Sequence, residues 1–175
     1  VVDAALDMLA GYQCDCVIGF GGGSPIDTAK AVAALGIERR PVSSLKVPVI
    51  TDSPGLPVIA IPTTAGTGSE VTPWATLWDR AAATPTKLSL HSEALWSEVA
   101  LVDPALTLTL PDSVTRVSAL DALSHALEAI WNRNANPVSD ALAVEAACTM
   151  IASLPRLLAD PRNLALRTEV SRASL

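Results

Sequence analysis

The stretch that most constrains this chain is Cys16-Val17-Ile18-Gly19-Phe20, followed at once by Gly21-Gly22-Gly23-Ser24-Pro25-Ile26-Asp27. The apolar run reads as a short buried strand, and three consecutive glycines stop it. Ser24 then stands as a helix N-cap, Pro25 suits the first helical position, and Asp27 completes a capping box. The pattern predicts a helix from Pro25 to about Leu35, ended by Gly36. A buried strand that breaks on glycine and opens a helix is the repeating unit of an α/β fold. The glycines allow close approach to the backbone, and the N–H groups and dipole of the helix start favour an anion. Gly22, Gly23 and Ser24 are therefore candidates to seat a pyrophosphate. The stretch is not the G-x-G-x-x-G fingerprint, so a plain strand-to-helix turn stays open as the other reading.

The same design recurs downstream. After a polar, proline-dotted connection from Glu38 to Pro57, Val58-Ile59-Ala60-Ile61 reads as a second buried strand. It leads into Pro62-Thr63-Thr64-Ala65-Gly66-Thr67-Gly68-Ser69-Glu70. The hydroxyls and pliant backbone of Thr63, Thr64, Gly66, Thr67 and Ser69 suit the phosphate, ribose or amide of a cofactor, since ligands of open α/β sheets sit beyond the carboxyl ends of strands. A polar surface loop is the alternative. Strands are expected at Trp74–Trp78 and Lys87–Leu90, around a turn near Thr84-Pro85, and a further buried strand at Val99–Val102. Ahead of all this, Val1 to Ala10 is apolar at helical spacing and already in mid-pattern, with Gly11 as its stop, which suggests a missing beginning.

Beyond Pro111 only helical periodicity remains, over Ser113–Trp131, Val138–Leu154 and Pro161 onward, with Asn136-Pro137 and Asp160-Pro161 as helix starts. The boundary between the α/β part and the helical part is expected near residues 104–112. In the first of these helices Asp121 and His125 stand four apart, on one face, where a carboxylate and an imidazole can reach one cation. Leu120, Leu123, Leu127 and Ile130 form the neighbouring apolar stripe, so the pair is expected to be substantially buried. A helix-surface ion pair is the competing reading, and Glu128 is taken as a salt-bridge partner or outer support. His91 reads as a loop residue, Lys87 as a charge offered to a cofactor or to solvent, and Trp74, Trp78, Trp96 and Trp131 as packing residues.

Composition narrows the partners. With 12 Lys and Arg against 18 Asp and Glu, the formal charge of -6 leaves no basic surface for nucleic acid. No apolar stretch approaches the roughly 20 residues of a membrane span, and no secretory leader begins at Val1. A cytoplasmic protein is expected. Cys14, Cys16 and Cys148 give an odd count without metal spacing and read as buried thiols.

Gly21 through Lys30, Pro62 through Thr72 and Asp121 through Ala129 stand in the order and approximate spacing of the iron-containing alcohol dehydrogenases, which the chain resembles over nearly its whole length. The resemblance implies a dehydroquinate synthase-like architecture: an incomplete Rossmann-like α/β nucleotide-binding domain over residues 1–108, then an incomplete all-helical metal-binding domain over 109–175. It implies that Gly22, Gly23 and Ser24 hold the pyrophosphate of NAD or NADP with Asp27 close by. Thr63, Thr64 and Thr67 contact the cofactor, with Gly66 and Ser69 in the same loop, and Lys87 reaches it too. Asp121 and His125 match the first two of four ligands to Fe²⁺ or Zn²⁺, the other two being histidines on later helices absent from this chain. No catalytic side chain beyond the metal ligands is implied. The implied reaction passes a hydride between nicotinamide and an alcohol or aldehyde whose oxygen the cation polarises, in a homodimer, with this stretch inactive alone.

Pro73-Trp74-Ala75-Thr76-Leu77-Trp78-Asp79 is similar to members that reduce phosphonoacetaldehyde. Two rival readings are a polyol dehydrogenase or sugar-phosphate cyclase relative, and a non-catalytic nucleotide-binding remnant.

Overall fold

The computed structural model describes residues 1–37, 55–79 and 84–175. The connection expected from Glu38 onward thus lies outside the described residues as far as residue 54. The chain divides into two compact units: Val1–Pro62 with Ser69–Leu101, and Thr63–Gly68 with Val102–Leu175. The main division thus falls at Leu101–Val102, before the expected 104–112, and a six-residue loop from the first half of the sequence belongs to the second unit.

The first unit is an α/β layer of Rossmann type. Helix α1 (Val2–Gly11) precedes strand β1 (Val17–Gly21), helix α2 (Gly23–Gly36) and strand β2 (Val58–Pro62), and strand β5 (Val99–Ala100) completes a parallel sheet of order β1-β2-β5. The register runs Val17 opposite Val58 to Gly21 opposite Pro62, and Ile59 opposite Val99. Strands β3 (Trp74–Asp79) and β4 (Thr86–His91) form an antiparallel hairpin, Trp74 opposite His91 and Trp78 opposite Lys87. Val32 and Leu35 of α2 pack with Leu77, Leu90 and Leu95 in the core of this unit.

Two strands differ from expectation. Successive residues of a strand face opposite ways. Gly19 faces α2, where an added Cβ would come within 3.0 Å of the Ala29 Cβ. Ile18 and Phe20 face away and are 59% exposed each, and both residues of β5 are exposed. Of the two, β1 is buried on the one face that α2 covers, where Gly19 lies, while β5 is exposed along both its residues.

The second unit is helical. A 3-10 turn over Pro104–Thr107 leads to α3 (Asp112–Ile130), α4 (Pro137–Ala159) and α5 (Leu164–Ala173). Asn136 caps α4 through the Val138 and Ser139 N–H groups, with Ser139 answering in a capping box. The helix runs five residues past the expected Leu154, through Pro155, whose exposed position leaves the carbonyl one turn back free to meet water. Asp160-Pro161 does not start α5. Asp160 ends α4, and Asn163 caps α5 by accepting from the Leu166 N–H.

By length and composition α4 is apolar enough to cross a membrane, so the expectation that no stretch reaches that length fails for it. Its buried residues Ala143, Ala147, Met150, Leu154 and Leu157 recur at helical spacing, and Met150, Leu154 and Leu157 join the core shared with α3 and α5. That is the pattern of a helix buried along one side against other helices. The three cysteines are exposed, not buried. Cys14 and Cys16 both lie in the α1–β1 connection, outside the helix-packed core.

Candidate functional site

The helix start at Gly22 is built from backbone alone. Gly21 has φ 143°, and a Cβ there would come within 2.7 Å of Pro25, so the strand can turn into the helix only on glycine. Gly22 is the N-cap, in extended conformation with no side-chain cap, and the helix begins at Gly23, two residues ahead of the expected Pro25. The expected capping box of Ser24 and Asp27 does not form. The first-turn N–H groups of Gly23 and Ser24 therefore lack an intrahelical acceptor, which is the arrangement that receives an anion.

Asp27 is occupied elsewhere. Its carboxylate accepts from the Ser69 hydroxyl at 2.5 Å and from the Thr76 N–H at 2.9 Å. Burial raises its pKa from the ordinary carboxylate range, opposed by those two hydrogen bonds and by the charges of Lys30 and Lys87. Ser69 is thereby fixed against α2, in the same unit as the helix start. Lys87 is exposed on β4, with its field reaching Asp27.

Sequence reasoning missed the most buried charged group of this region. Lys30, one turn beyond Asp27, has no exposed surface, and its ammonium donates to the carbonyls of Ser69, of Thr72 at 2.6 Å and of Trp74 at 3.0 Å. Burial pulls its pKa down to about 8, with Asp27 and Glu70 pulling upward. Glu70 is itself buried, which raises its pKa, with Lys30 opposing. A signal was available: Ala29, Ala31, Val32, Ala33, Ala34 and Leu35 leave α2 apolar nearly all round, so a lysine inside it must find partners.

Thr63–Gly68 belongs to the helical unit. Ala65 joins its core, and a Cβ on Gly66 would come within 2.6 Å of the Ser118 carbonyl oxygen, so only glycine allows this approach to α3. Gly68 takes φ 60°, a left-handed turn. Thr63 and Thr64 are half-buried and Thr67 is exposed.

On α3 the buried stripe is Thr115, Ala119, Ala122 and Ala126, not the leucines. Leu120 is exposed. The small residues let α4 approach closely and turn Asp121 and His125 outward. Their side chains are 45% and 58% exposed, so the expectation of substantial burial is corrected. The His125 Nε2 lies 3.6 Å from the Asp121 Oδ2. One hard oxygen and one imidazole nitrogen this close, solvent-facing and without a further protein partner between them, fit half of a divalent-cation site. Among the described residues no group of three or more such side chains gathers. Glu128 accepts from the Ser124 hydroxyl at 3.3 Å. Near the start of α3 Arg167 is buried, donating to the Pro161 carbonyl at 2.9 Å and to the Thr115 hydroxyl at 2.8 Å. Burial lowers its pKa, with Asp112 opposing.

The aromatic expectations also change. His91 is the last residue of β4, not a loop residue, and stacks on Trp74 with ring centroids 4.2 Å apart. Trp74, Trp78, Trp96 and Trp131 are all exposed and do not pack the core.

Comparison with known proteins gives two family matches, "Iron-containing alcohol dehydrogenase" over residues 1–104 and "Fe-containing alcohol dehydrogenase family, C-terminal" over residues 115–175. The chain is 41% identical over 173 residues to the probable alcohol dehydrogenase EutG of Salmonella typhimurium, covering 99% of this chain and 43% of that protein. It is 35% identical to the NAD-dependent methanol dehydrogenase of Bacillus methanolicus, covering 98% of this chain and 45% of that protein. The crystal structure of sulfoacetaldehyde reductase from Bifidobacterium kashiwanohense in complex with NAD+ matches with TM-score 0.93 at 34% identity, over 99% of this chain and 46% of that one. The chain thus spans less than half the length of the relatives it matches.

Proposed function

This chain belongs to the iron-containing alcohol dehydrogenase family, and from that premise we propose that the whole protein is an NAD-linked oxidoreductase of small alcohols and aldehydes. The observation that carries the reading is the outward-facing pair on α3, Asp121 and His125, with donor atoms 3.6 Å apart and no structural task of their own. Asp121 contributes negative charge and His125 a neutral nitrogen to hold Fe²⁺. A bound cation supplies Lewis-acid polarisation of the substrate oxygen, and the nicotinamide supplies the hydride chemistry.

The chain's own residues orient the cofactor. The N–H groups of Gly23 and Ser24, opened by Gly21 and Gly22, receive the pyrophosphate. Thr63, Thr64 and Thr67, held in a loop that Gly66 lets approach α3, offer hydroxyls, and Lys87 offers positive charge. Asp27 accepts from the Ser69 hydroxyl and so fixes Ser69 to the helix that carries the glycine turn. The reading takes NAD rather than NADP, because of the relatives named above the methanol dehydrogenase is NAD-dependent and the sulfoacetaldehyde reductase is in complex with NAD+.

For substrate we favour a two-carbon aldehyde with an anionic head, phosphonoacetaldehyde or sulfoacetaldehyde, on the strength of the Pro73–Asp79 stretch and the sulfoacetaldehyde reductase likeness. A homodimer in the cytoplasm goes with this reading. The test is NADH oxidation by the whole protein, stripped of metal and reloaded with Fe²⁺, against acetaldehyde, phosphonoacetaldehyde and sulfoacetaldehyde. The expected result is turnover that returns with Fe²⁺ and ranks the anionic aldehydes first. Absence of turnover with every aldehyde after reloading would end the dehydrogenase reading.

A further inference from the structure

Between β2 and β3 the chain has almost no regular structure. Thr63–Gly68 is a loop, Ser69–Val71 is a single 3-10 turn, and the ladder of β3 begins only at Trp74. Something other than a sheet must fix the place of residues 69–73. Two side chains of α2 do so from one turn of helix. Lys30 donates to the carbonyls of Ser69, Thr72 and Trp74, and Asp27 accepts from the Ser69 hydroxyl and the Thr76 N–H.

An ammonium carries three N–H donors and no acceptor, so three carbonyls saturate it. The saturation leaves no donor for any ligand, so Lys30 itself touches no cofactor. Four charged groups bear on the cluster: Asp27 and Lys30 from α2, Glu70 from the 3-10 turn and Lys87 from β4.

We infer that Lys30 is a positioning residue for the dinucleotide: its saturated ammonium locks residues 69–76 onto the same helix whose first turn receives the pyrophosphate. The inference rests on the NAD reading above. Because Asp27 and Lys30 follow the phosphate seat by one and two turns of a single rigid helix, they hold residues 69–76 at a set distance from that seat. Arginine cannot replace the lysine. Its planar fork points five N–H donors along fixed directions, whereas the three carbonyls converge on a point.

The test runs on the whole protein, with wild type, Lys30→Gln, Lys30→Met and Lys30→Arg side by side. Hydrogen exchange at residues 69–76 reads the lock, and NADH binding, followed by the cofactor's own fluorescence, reads its consequence. Lys30→Gln keeps two N–H donors and Lys30→Met keeps none, so exchange at 69–76 should quicken in that order and by more than exchange in the rest of the fold. The Kd for NADH should rise by about tenfold or more in Lys30→Met, less in Lys30→Gln, and Lys30→Arg should give no rescue. In the same variants kcat at saturating NADH should stay within about twofold of wild type.

Quicker exchange with unchanged NADH affinity would overturn the inference, because the lock would then serve the fold alone. Unchanged exchange at 69–76 would overturn it as well. If wild type binds no NADH, it is the cofactor reading that fails, and the inference with it; wild type is therefore measured first. Should Lys30→Met not fold, Lys30→Gln decides by the same criteria.

Discussion

Two helices of this chain carry a carboxylate followed one turn later by a nitrogen base: Asp27 with Lys30 on α2, and Asp121 with His125 on α3. Their surroundings are opposite. Lys30 has no exposed surface and spends every donor on backbone carbonyls, and Asp27 accepts from a hydroxyl and an amide. Asp121 and His125 are roughly half exposed and meet one another at 3.6 Å. The lesson is that spacing alone assigns neither role. A buried pair must be saturated by protein and so belongs to the frame, whereas an exposed pair with lone pairs to spare is available to a ligand.

The largest effect should come from removing the buried cation. Lys30→Met leaves Asp27 and Glu70 buried without their compensating charge and three carbonyls without a donor, a loss of about 3 kcal/mol of stability by analogy with broken buried pairs. Thermal and denaturant unfolding measure it. A loss below about 1 kcal/mol would place the cluster among ordinary surface contacts.

The next effect is the pH dependence of that loss. The folded pKa of Lys30 is lowered by burial to about 8 from 10.5. Between those values the unfolded chain binds the proton more tightly than the folded one. The stability contributed by this group is therefore complete above 10.5 and is lost as pH falls through about 8. The gap between wild type and Lys30→Met should widen as pH rises across that window, measured by melts at matched ionic strength. A gap that narrows would mean that the three carbonyls hold the charged form more strongly than burial opposes it.

The smallest effect should come from the exposed pair. With metal removed, Asp121→Ala should change stability by no more than about 0.5 kcal/mol, since an exposed i,i+4 pair contributes only a few tenths. Chemical denaturation of the metal-free protein checks this. A loss of about 2 kcal/mol would show that Asp121 serves the fold.

The sequence made the frame legible where local chemistry decides it. The strand, glycine and helix order around Gly21–Pro25 and the Asn136 cap were readable because the deciding residues are neighbours. What stayed hidden depends on tertiary partners. Asp27 looked like half of a capping box, yet Ser69 and Thr76 take its carboxylate from more than 40 residues away. The leucines of α3 looked like its buried stripe, but Thr115, Ala119, Ala122 and Ala126 allow closer packing, and that rotates Asp121 and His125 into solvent. The exposed tryptophans and cysteines failed for a related reason: residue type predicts average burial, and Cys14 and Trp74 sit in a connection and on an open hairpin face.

The most direct test of the division between frame and ligand site is a paired titration of the whole protein carrying Asp121→Ala or His125→Ala, with bound iron measured by elemental analysis and NADH affinity measured on the same samples. The account predicts that iron content and turnover fall together while NADH affinity and metal-free stability stay at wild-type values. Full iron content and full turnover in either variant would contradict it.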